Sequence, residues 1–193
     1  MGEVRWGPVP FDFVFPLRRL FLALPINEGA KIRFGQIQDR LGLFSDLFRF
    51  QNPSSPHLTI HFFGDVGELE YQGIVKHVEG MAARNMPFPC SVRAAGTFGK
   101  PGSERVLFLE LGYSAELSKL AKQCPWPRDH PFSAHITVAR MKNPHAFTVQ
   151  KKKVMKILKD VSFPITFDRF RLYAEVDGVK QTPVGDFVFG SRE

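Results

Sequence analysis

The sequence predicts an α+β fold built from a duplicated unit, and two observations predict it. A His-x-Thr pattern opens an apolar strand twice, in His57-Leu58-Thr59-Ile60-His61 and in His135-Ile136-Thr137-Val138-Ala139. Each motif strand holds the third place in the same succession of strand, helix, motif strand and helix, first over Leu20 to Arg84 and again over Val106 to Asp160. Two units are too few for a solenoid, so the pattern describes a pair of lobes.

Leu20 to Leu24 is a continuous apolar run ended by Pro25, as expected of a strand covered on both faces. Asn27 stands where a helix cap is expected. Ala30, Phe34, Ile37, Leu41 and Phe44 then recur at spacings of four and three on one helical face, with Lys31, Arg33, Asp39 and Arg40 on the solvated side. Gln51 to Pro56 is a loop by its Pro and Ser content; it leads into the His57 strand, which Gly64-Asp65 ends. Tyr71, Ile74, Val78 and Met81 mark a second helix from about Glu68 to Arg84, with His77 at its rim.

Phe88 to Thr97 reads as a strand, Gly96 to Glu104 as a loop and Val106 to Leu111 as the next strand. Ser114 caps a short helix carrying Leu117, Leu120 and Ala121; Pro125, Pro127 and Pro131 force an irregular approach to the His135 strand. A lysine-rich helix follows from Thr148 to about Asp160. Its Val154, Ile157 and Val161 face inward, and Lys151, Lys152, Lys153, Lys156 and Lys159 cover much of its outer surface, a solvated face or, as the alternative, one that contacts nucleic acid. Asp177-Gly178 marks a hairpin between Ile165–Val176 and Val179–Phe189. A switch of apolar parity between Phe167 and Phe170 predicts a bulge near Asp168-Arg169.

A chain of 193 residues with 44% hydrophobic content can build one sizeable core or two small lobes sharing an interface. Its net charge of +7 suits a polyanionic partner, nucleic acid first, or simply a soluble basic protein. Cys90 and Cys124 supply neither a disulfide framework nor metal-ligand spacing and read as buried free thiols of a reducing compartment. Val9 to Leu24 is apolar, but Pro10, Asp12, Pro16, Arg18 and Arg19 interrupt it. No run approaches the roughly 18 apolar residues that span a bilayer, and the arginines follow the apolar part where a signal peptide would place them before it. Residues 1–17 are read as an irregular extension packed on the surface, and the protein as cytoplasmic, without a membrane partner.

On a strand alternate side chains share a face, so His57, Thr59 and His61 point the same way. Two imidazoles converging on one ester supply a general base and a general acid near neutral pH. Two threonine hydroxyls can hold the non-bridging oxygens of a phosphate and stabilise charge building up there. Such a quartet suits a phosphodiester, above all a strained cyclic one, whose hydrolysis needs no metal. Metal ligation fits the pattern poorly: His57 and His61 are about 13 Å apart in strand rise, and no Asp or Glu recurs beside the motifs. The bland alternative is two core histidines paired with threonines by chance. His61 has Ala139 at its matching position, so it is a contact peculiar to the first motif or a residue lining the mouth. Nothing assigns a role to His130 or His145.

These residues resemble the two-histidine (2H) phosphoesterases, most closely the bacterial and archaeal RNA 2′,3′-cyclic phosphodiesterases, also called LigT-like 2′-5′ RNA ligases. The resemblance runs from about Arg19 to Phe189. It rests on Arg19-Leu20-Phe21-Leu22-Ala23-Leu24-Pro25, on His57-Leu58-Thr59 followed by Phe62-Phe63-Gly64, on Gly96-Thr97-Phe98 leading to Arg105-Val106-Leu107-Phe108-Leu109, and on Pro131-Phe132 ahead of His135-Ile136-Thr137-Val138-Ala139-Arg140. It implies a bilobal fold with two antiparallel sheets facing a central cleft and helices outside. The domain would run over 18–193, with pseudo-repeats at about 19–88 and 89–193.

The activity implied is metal-independent, cofactor-free opening of RNA 2′,3′-cyclic phosphate ends to 2′-phosphates, with reversible 2′-5′ joining of RNA ends in some members. The alternatives are a phosphodiesterase for 2′-5′ oligonucleotides or small cyclic nucleotides, and a non-catalytic RNA-end binder. The resemblance makes His57 the general acid, His135 the base, and Thr59 and Thr137 the phosphate holders. It adds Phe62 and Arg140 as substrate contacts, although simple alternation puts both on the face opposite the histidines; His61 is a further candidate contact. A monomer is expected. The chain departs from the family pattern in carrying His61 where Arg is common, and in reading His130-Pro131-Phe132-Ser133-Ala134-His135 where the family often has Arg-Pro-Phe-x-Pro-His.

Overall fold

The structure, a computed structural model, describes residues 14–128 and 130–190. Strand β1 (Leu17–Pro25) leads to α1 (Glu28–Arg40), a 3-10 segment over Gly42–Leu47 and the short β2 (Phe48–Phe50). Then come β3 (His57–Val66), α2 (Glu68–Ala83), β4 (Phe88–Lys100), β5 (Ser103–Leu111), α3 (Ala115–Gln123) and β6 (His135–Met141). The chain ends with α4 (Pro144–Ile157), β7 (Phe163–Phe167), β8 (Arg169–Val176) and β9 (Val179–Val188).

All pairings are antiparallel, in the order β7-β4-β5-β6-β3-β1-β8-β9, with β2 added to β6. The expected duplication is visible in the sheet: β3 is flanked outward by β1 and β8 as β6 is by β5 and β4. The two four-stranded halves are joined edge to edge at one residue pair, Leu58 with Ile136. Past that junction β2 takes over as the neighbour of β6, at Ala139–Met141.

The halves are not contiguous in sequence. β7 pairs with β4, whereas β8 and β9 return to the first half beside β1. This corrects the bulge expected near Asp168-Arg169: apolar parity switches there because the chain leaves one half at Phe167 and enters the other at Arg169.

Most of the core lies between the sheet and its helices. α2 packs on β8 and β9, α4 on β5 and α1 on β7; Tyr71 Oη donates to the Val184 carbonyl at 2.8 Å. Leu20, Leu22 and Leu24 are fully buried in this core, each contributing about 2 kcal/mol. Phe21 and Ala23 face the other way and form a small second cluster with Tyr173, so β1 is covered on both faces as its unbroken apolar run predicts.

Several boundaries moved. Residues 1–13 of the expected extension lie outside the described residues, but Leu17 is already a buried residue of β1 paired with Val66. Asn27 makes no side-chain cap to α1; its Oδ1 accepts the Thr166 N–H at 3.0 Å and ties the helix start to β7. α1 stops at Arg40, leaving Phe44 in the 3-10 segment. The Gly96–Glu104 loop is largely strand, paired from Gly96–Phe108 to Lys100–Ser103; Gly99, at φ 127°, admits the Glu104 backbone where a Cβ would lie 2.7 Å from its Cα. α4 starts at Pro144, four residues early, since Asn143 Oδ1 caps the Ala146 N–H and Pro144 suits the first turn. Cys90 and Cys124 are free and only half-buried; burial raises both thiols, Cys124 to about 11. Among the described residues no helix is long and apolar enough to cross a membrane.

Candidate active site

The Leu58–Ile136 pair places the two motifs directly across from each other. Extending that antiparallel register by one residue each way sets His57 opposite Thr137 and Thr59 opposite His135. Cross-strand neighbours have Cβ atoms about 5 Å apart, so each imidazole faces the hydroxyl of the other motif. Leu58, Ile60, Ile136 and Val138 point into the core and anchor the strands from behind. His57, Thr59, His135 and Thr137 line one cleft on the opposite face.

Both motif strands then break alternation at the same place. In β3 the register slips between Thr59 (opposite Ala23) and His61 (opposite Leu22); in β6 it slips between Thr137 (opposite Phe108) and Ala139 (opposite Leu107). One extra residue in a strand turns everything after it to the other face. Phe62 and Arg140 therefore join the histidines in lining the cleft, which simple alternation forbade. The same slip corrects the placement of His61. Its side chain leaves the face of His57 and Thr59 and packs against Phe63 and Trp126, with ring centroids 4.7 and 5.6 Å away. Trp126 also meets His77 of α2 edge-on at 5.3 Å.

Each imidazole is held identically. His57 Nδ1 lies 2.8 Å from the Ser55 carbonyl oxygen, and His135 Nδ1 lies 2.7 Å from that of Ser133. A carbonyl only accepts, so Nδ1 carries the proton in both rings, and Nε2 is the nitrogen at which each ring can accept or give a proton. Two aromatic rings then pack each imidazole. Phe21 of β1 and Tyr173 of β8 both stand 5.0 Å from His57. Phe98 of β4 and Phe108 of β5 stand 4.8 and 5.5 Å from His135. Burial pushes His57 below the ordinary imidazole value; the Ser55 carbonyl opposes this, and the nearby His135 lowers it further. Burial likewise lowers His135 against the pull of Ser133.

The rest of the cleft is basic and polar. Arg19 and Arg140 line it, with Gln51 and Gln181, and among the described residues no carboxylate does. Arg19 and Gln181 both adopt left-handed backbone conformations, at φ 55° and 60°. The Arg19 N–H donates to Asp65 Oδ1 at 3.0 Å, and Arg19 Nε is 3.9 Å from Glu175. Gln181 reaches Gln51 at 3.5 Å. Among the described residues no three His, Cys, Asp or Glu side chains gather where an ion could be held.

A family model described as the 2′-5′ RNA ligase superfamily matches residues 42–178, well over half the chain. The chain belongs to that superfamily. It is 32% identical over 133 residues to the RNA 2′,3′-cyclic phosphodiesterase of Methanothermobacter thermautotrophicus, covering 65% of this chain and 72% of that protein. It is 27% identical over 177 residues to the protein of the same name from Thermotoga maritima, covering 86% and 89%. Among solved structures it resembles TT0787 of Thermus thermophilus (TM-score 0.68, 23% identity, 89% of this chain and 97% of that one). It also resembles E. coli LigT complexed with 3′-AMP (TM-score 0.62, 18% identity, 91% and 99%). These structures share its fold, a curled antiparallel sheet with helices outside.

The superfamily match includes both motifs but neither β1 nor β9. Sequence reasoning passed over the residues of those strands that reach the cleft. The Ser-x-His spacing repeated at Ser55 and Ser133 was a readable signal for the Nδ1 anchors. The packing rings had no such signal, because Phe21 and Phe108 sit in unbroken apolar runs and Tyr173 belongs to a distant hairpin.

Proposed function

We propose that this protein hydrolyses 2′,3′-cyclic phosphate ends of RNA to 2′-phosphates, through the His57, Thr59, His135 and Thr137 quartet and without a metal ion. The observation that carries this reading is the crossed pairing of the two motifs, with both Nδ1 atoms tied to carbonyls and both Nε2 atoms left for proton transfer. The phosphodiesterase names of the relatives at 32% and 27% identity support it. His135 Nε2 takes a proton from water as its oxygen bonds to phosphorus; the bond to the 3′-oxygen breaks, and protonated His57 gives that oxygen its proton. Water is consumed, a 3′-hydroxyl and a 2′-phosphate form, and the histidines end with their protonation exchanged and reset through solvent. Thr59 and Thr137 donate to the non-bridging oxygens, where charge grows. A 5′-hydroxyl in place of water would give a 2′-5′ linkage by the same proton transfers.

Arg140 and Arg19 suit an anionic strand end, and Phe62, 54% exposed at the cleft, offers a face on which a base can stack. Both motifs come from one chain, so a monomer holds the complete site. The test compares wild type with His57→Ala and His135→Ala on an oligoribonucleotide ending in a 2′,3′-cyclic phosphate. Each variant is expected to lose about 10²–10⁴-fold in turnover while still binding a 2′-phosphate-ended product. Unchanged turnover in both would refute the catalytic assignment, and retained binding with no turnover even in wild type would favour an RNA-end binder.

A further inference from the structure

We propose that Arg49 of β2, acting beside Arg140, binds the backbone phosphate upstream of the reacting one, so that the cleft selects the end of an RNA strand over a lone nucleotide. This rests on the phosphodiesterase reading above and names its substrate more narrowly.

Arg49 and Arg140 are direct cross-strand partners in the β2–β6 ladder. Residues paired this way project to the same face, and Arg140 lines the cleft. Arg49 therefore stands beside Arg140 on the cleft side, on the strand that takes the place of β3 along β6. Both side chains are exposed, and neither makes an ion pair or hydrogen bond with any other described residue. The other arginine of the cleft, Arg19, is engaged at longer range by Glu175, and Arg169 and Arg171 are engaged by Asp168 and Asp186. Like charges directly opposite each other weaken a sheet. An unpartnered pair at this position costs stability in the free protein, and an anion between the two relieves that cost.

The guanidinium fork matches a phosphodiester bidentately. A strand end whose cyclic phosphate sits among the two histidines and two threonines has its next phosphate one nucleotide away. Arg140 and Arg49 continue the positive surface outward from the quartet in that way. Lys142, two residues beyond Arg140, is already held by the Ser45 carbonyl at 3.1 Å, which leaves Arg49 as the uncommitted cation next in line. β2 was not visible in the sequence, where Arg49 lies between a helix and a proline-rich loop.

The test measures kcat/KM for wild type, Arg49→Ala and Arg49→Lys on uridine 2′,3′-cyclic phosphate and on a uridine trinucleotide ending in the same group. Arg49→Ala is expected to lose about tenfold on the trinucleotide, mainly through KM, and less than twofold on the mononucleotide, with Arg49→Lys between. The dependence of log KM on log salt for the trinucleotide should flatten by about 0.7, one single-strand phosphate contact. Thermal stability at low salt should not fall, because a repulsion has been removed. Equal losses on both substrates, or none on either, overturn the proposal. If wild type hydrolyses neither substrate, the phosphodiesterase reading fails, and fluorescence anisotropy with the 2′-phosphate-ended trinucleotide decides Arg49. Weaker binding by Arg49→Ala with a flatter salt dependence supports it; equal affinity, or no binding by wild type, overturns it.

Discussion

Gly96→Ala is predicted to disable the cleft from behind His135. A Cβ at position 96 would lie 2.6 Å from Phe108 Cζ, 3.0 Å from Cε2 and 3.3 Å from Cε1, where ordinary contact begins at 3.4 Å. The ring must retreat by about 1 Å, and it is stacked on Phe98 at 4.0 Å between centroids. Phe98 and Phe108 are the two rings packed on His135, so the displacement passes to the imidazole. Overpacking of this kind costs about 1–3 kcal/mol of stability, and a displacement on the order of 1 Å at a reacting group costs about 10²-fold in rate. The assay is kcat/KM on a 2′,3′-cyclic phosphate RNA together with thermal unfolding. Gly96→Ala should lose about 10²-fold in kcat/KM and melt at lower temperature. Adding Phe108→Leu should recover part of both, as coupled neighbours do. Gly96→Ala within twofold of wild-type kcat/KM would refute the packing chain from Gly96 to His135.

Further predictions follow from the same geometry. Both imidazoles are lowered by burial, so kcat/KM, which reports the free enzyme, should be bell-shaped with its maximum on the acid side of about 6.5; a maximum above 7.5 would contradict this. Folded imidazoles with lowered pKa bind fewer protons than unfolded ones. Their contribution to stability is therefore complete above about 6.5 and is lost as pH falls through the folded values, and His57→Ala should shrink the acid loss seen in urea midpoints. Phe62→Ala should weaken substrate binding by about 1–3 kcal/mol with little change in melting temperature. His61→Ala should leave KM within twofold and lower stability by about 1 kcal/mol, since its ring packs on Phe63 and Trp126; the reverse pattern would return His61 to the cleft. Turnover should persist in excess EDTA, and its complete loss would refute a metal-free quartet.

Periodicity carried the strands and helices well wherever local pattern and final neighbours agree, as in α2, β1 and the β8–β9 hairpin. It failed where neighbours decide. β2 is three residues long and exists only because β6 needs a partner beyond its junction with β3. The switch between Phe167 and Phe170 looked like a local bulge because nothing local tells that β7 and β8 belong to different halves. The site divides in the same way. His57, Thr59, His135 and Thr137 were legible because a duplicated motif repeats its chemistry in the sequence. Phe62, Arg140 and His61 turn on two register slips, which depend on the facing strands β1 and β5 and leave no mark in alternation. The cis-prolyl bond at Phe15-Pro16 and the left-handed Arg19 and Gln181 were equally invisible.

The claim at the centre is that His57 faces the 3′-oxygen while His135 faces the attacking water. The most direct measurement is the identity of the product from an oligoribonucleotide ending in a 2′,3′-cyclic phosphate, resolved by phosphorus NMR into 2′- and 3′-phosphate. The quartet as oriented here predicts the 2′-phosphate alone; a 3′-phosphate, or a mixture of the two, would contradict it.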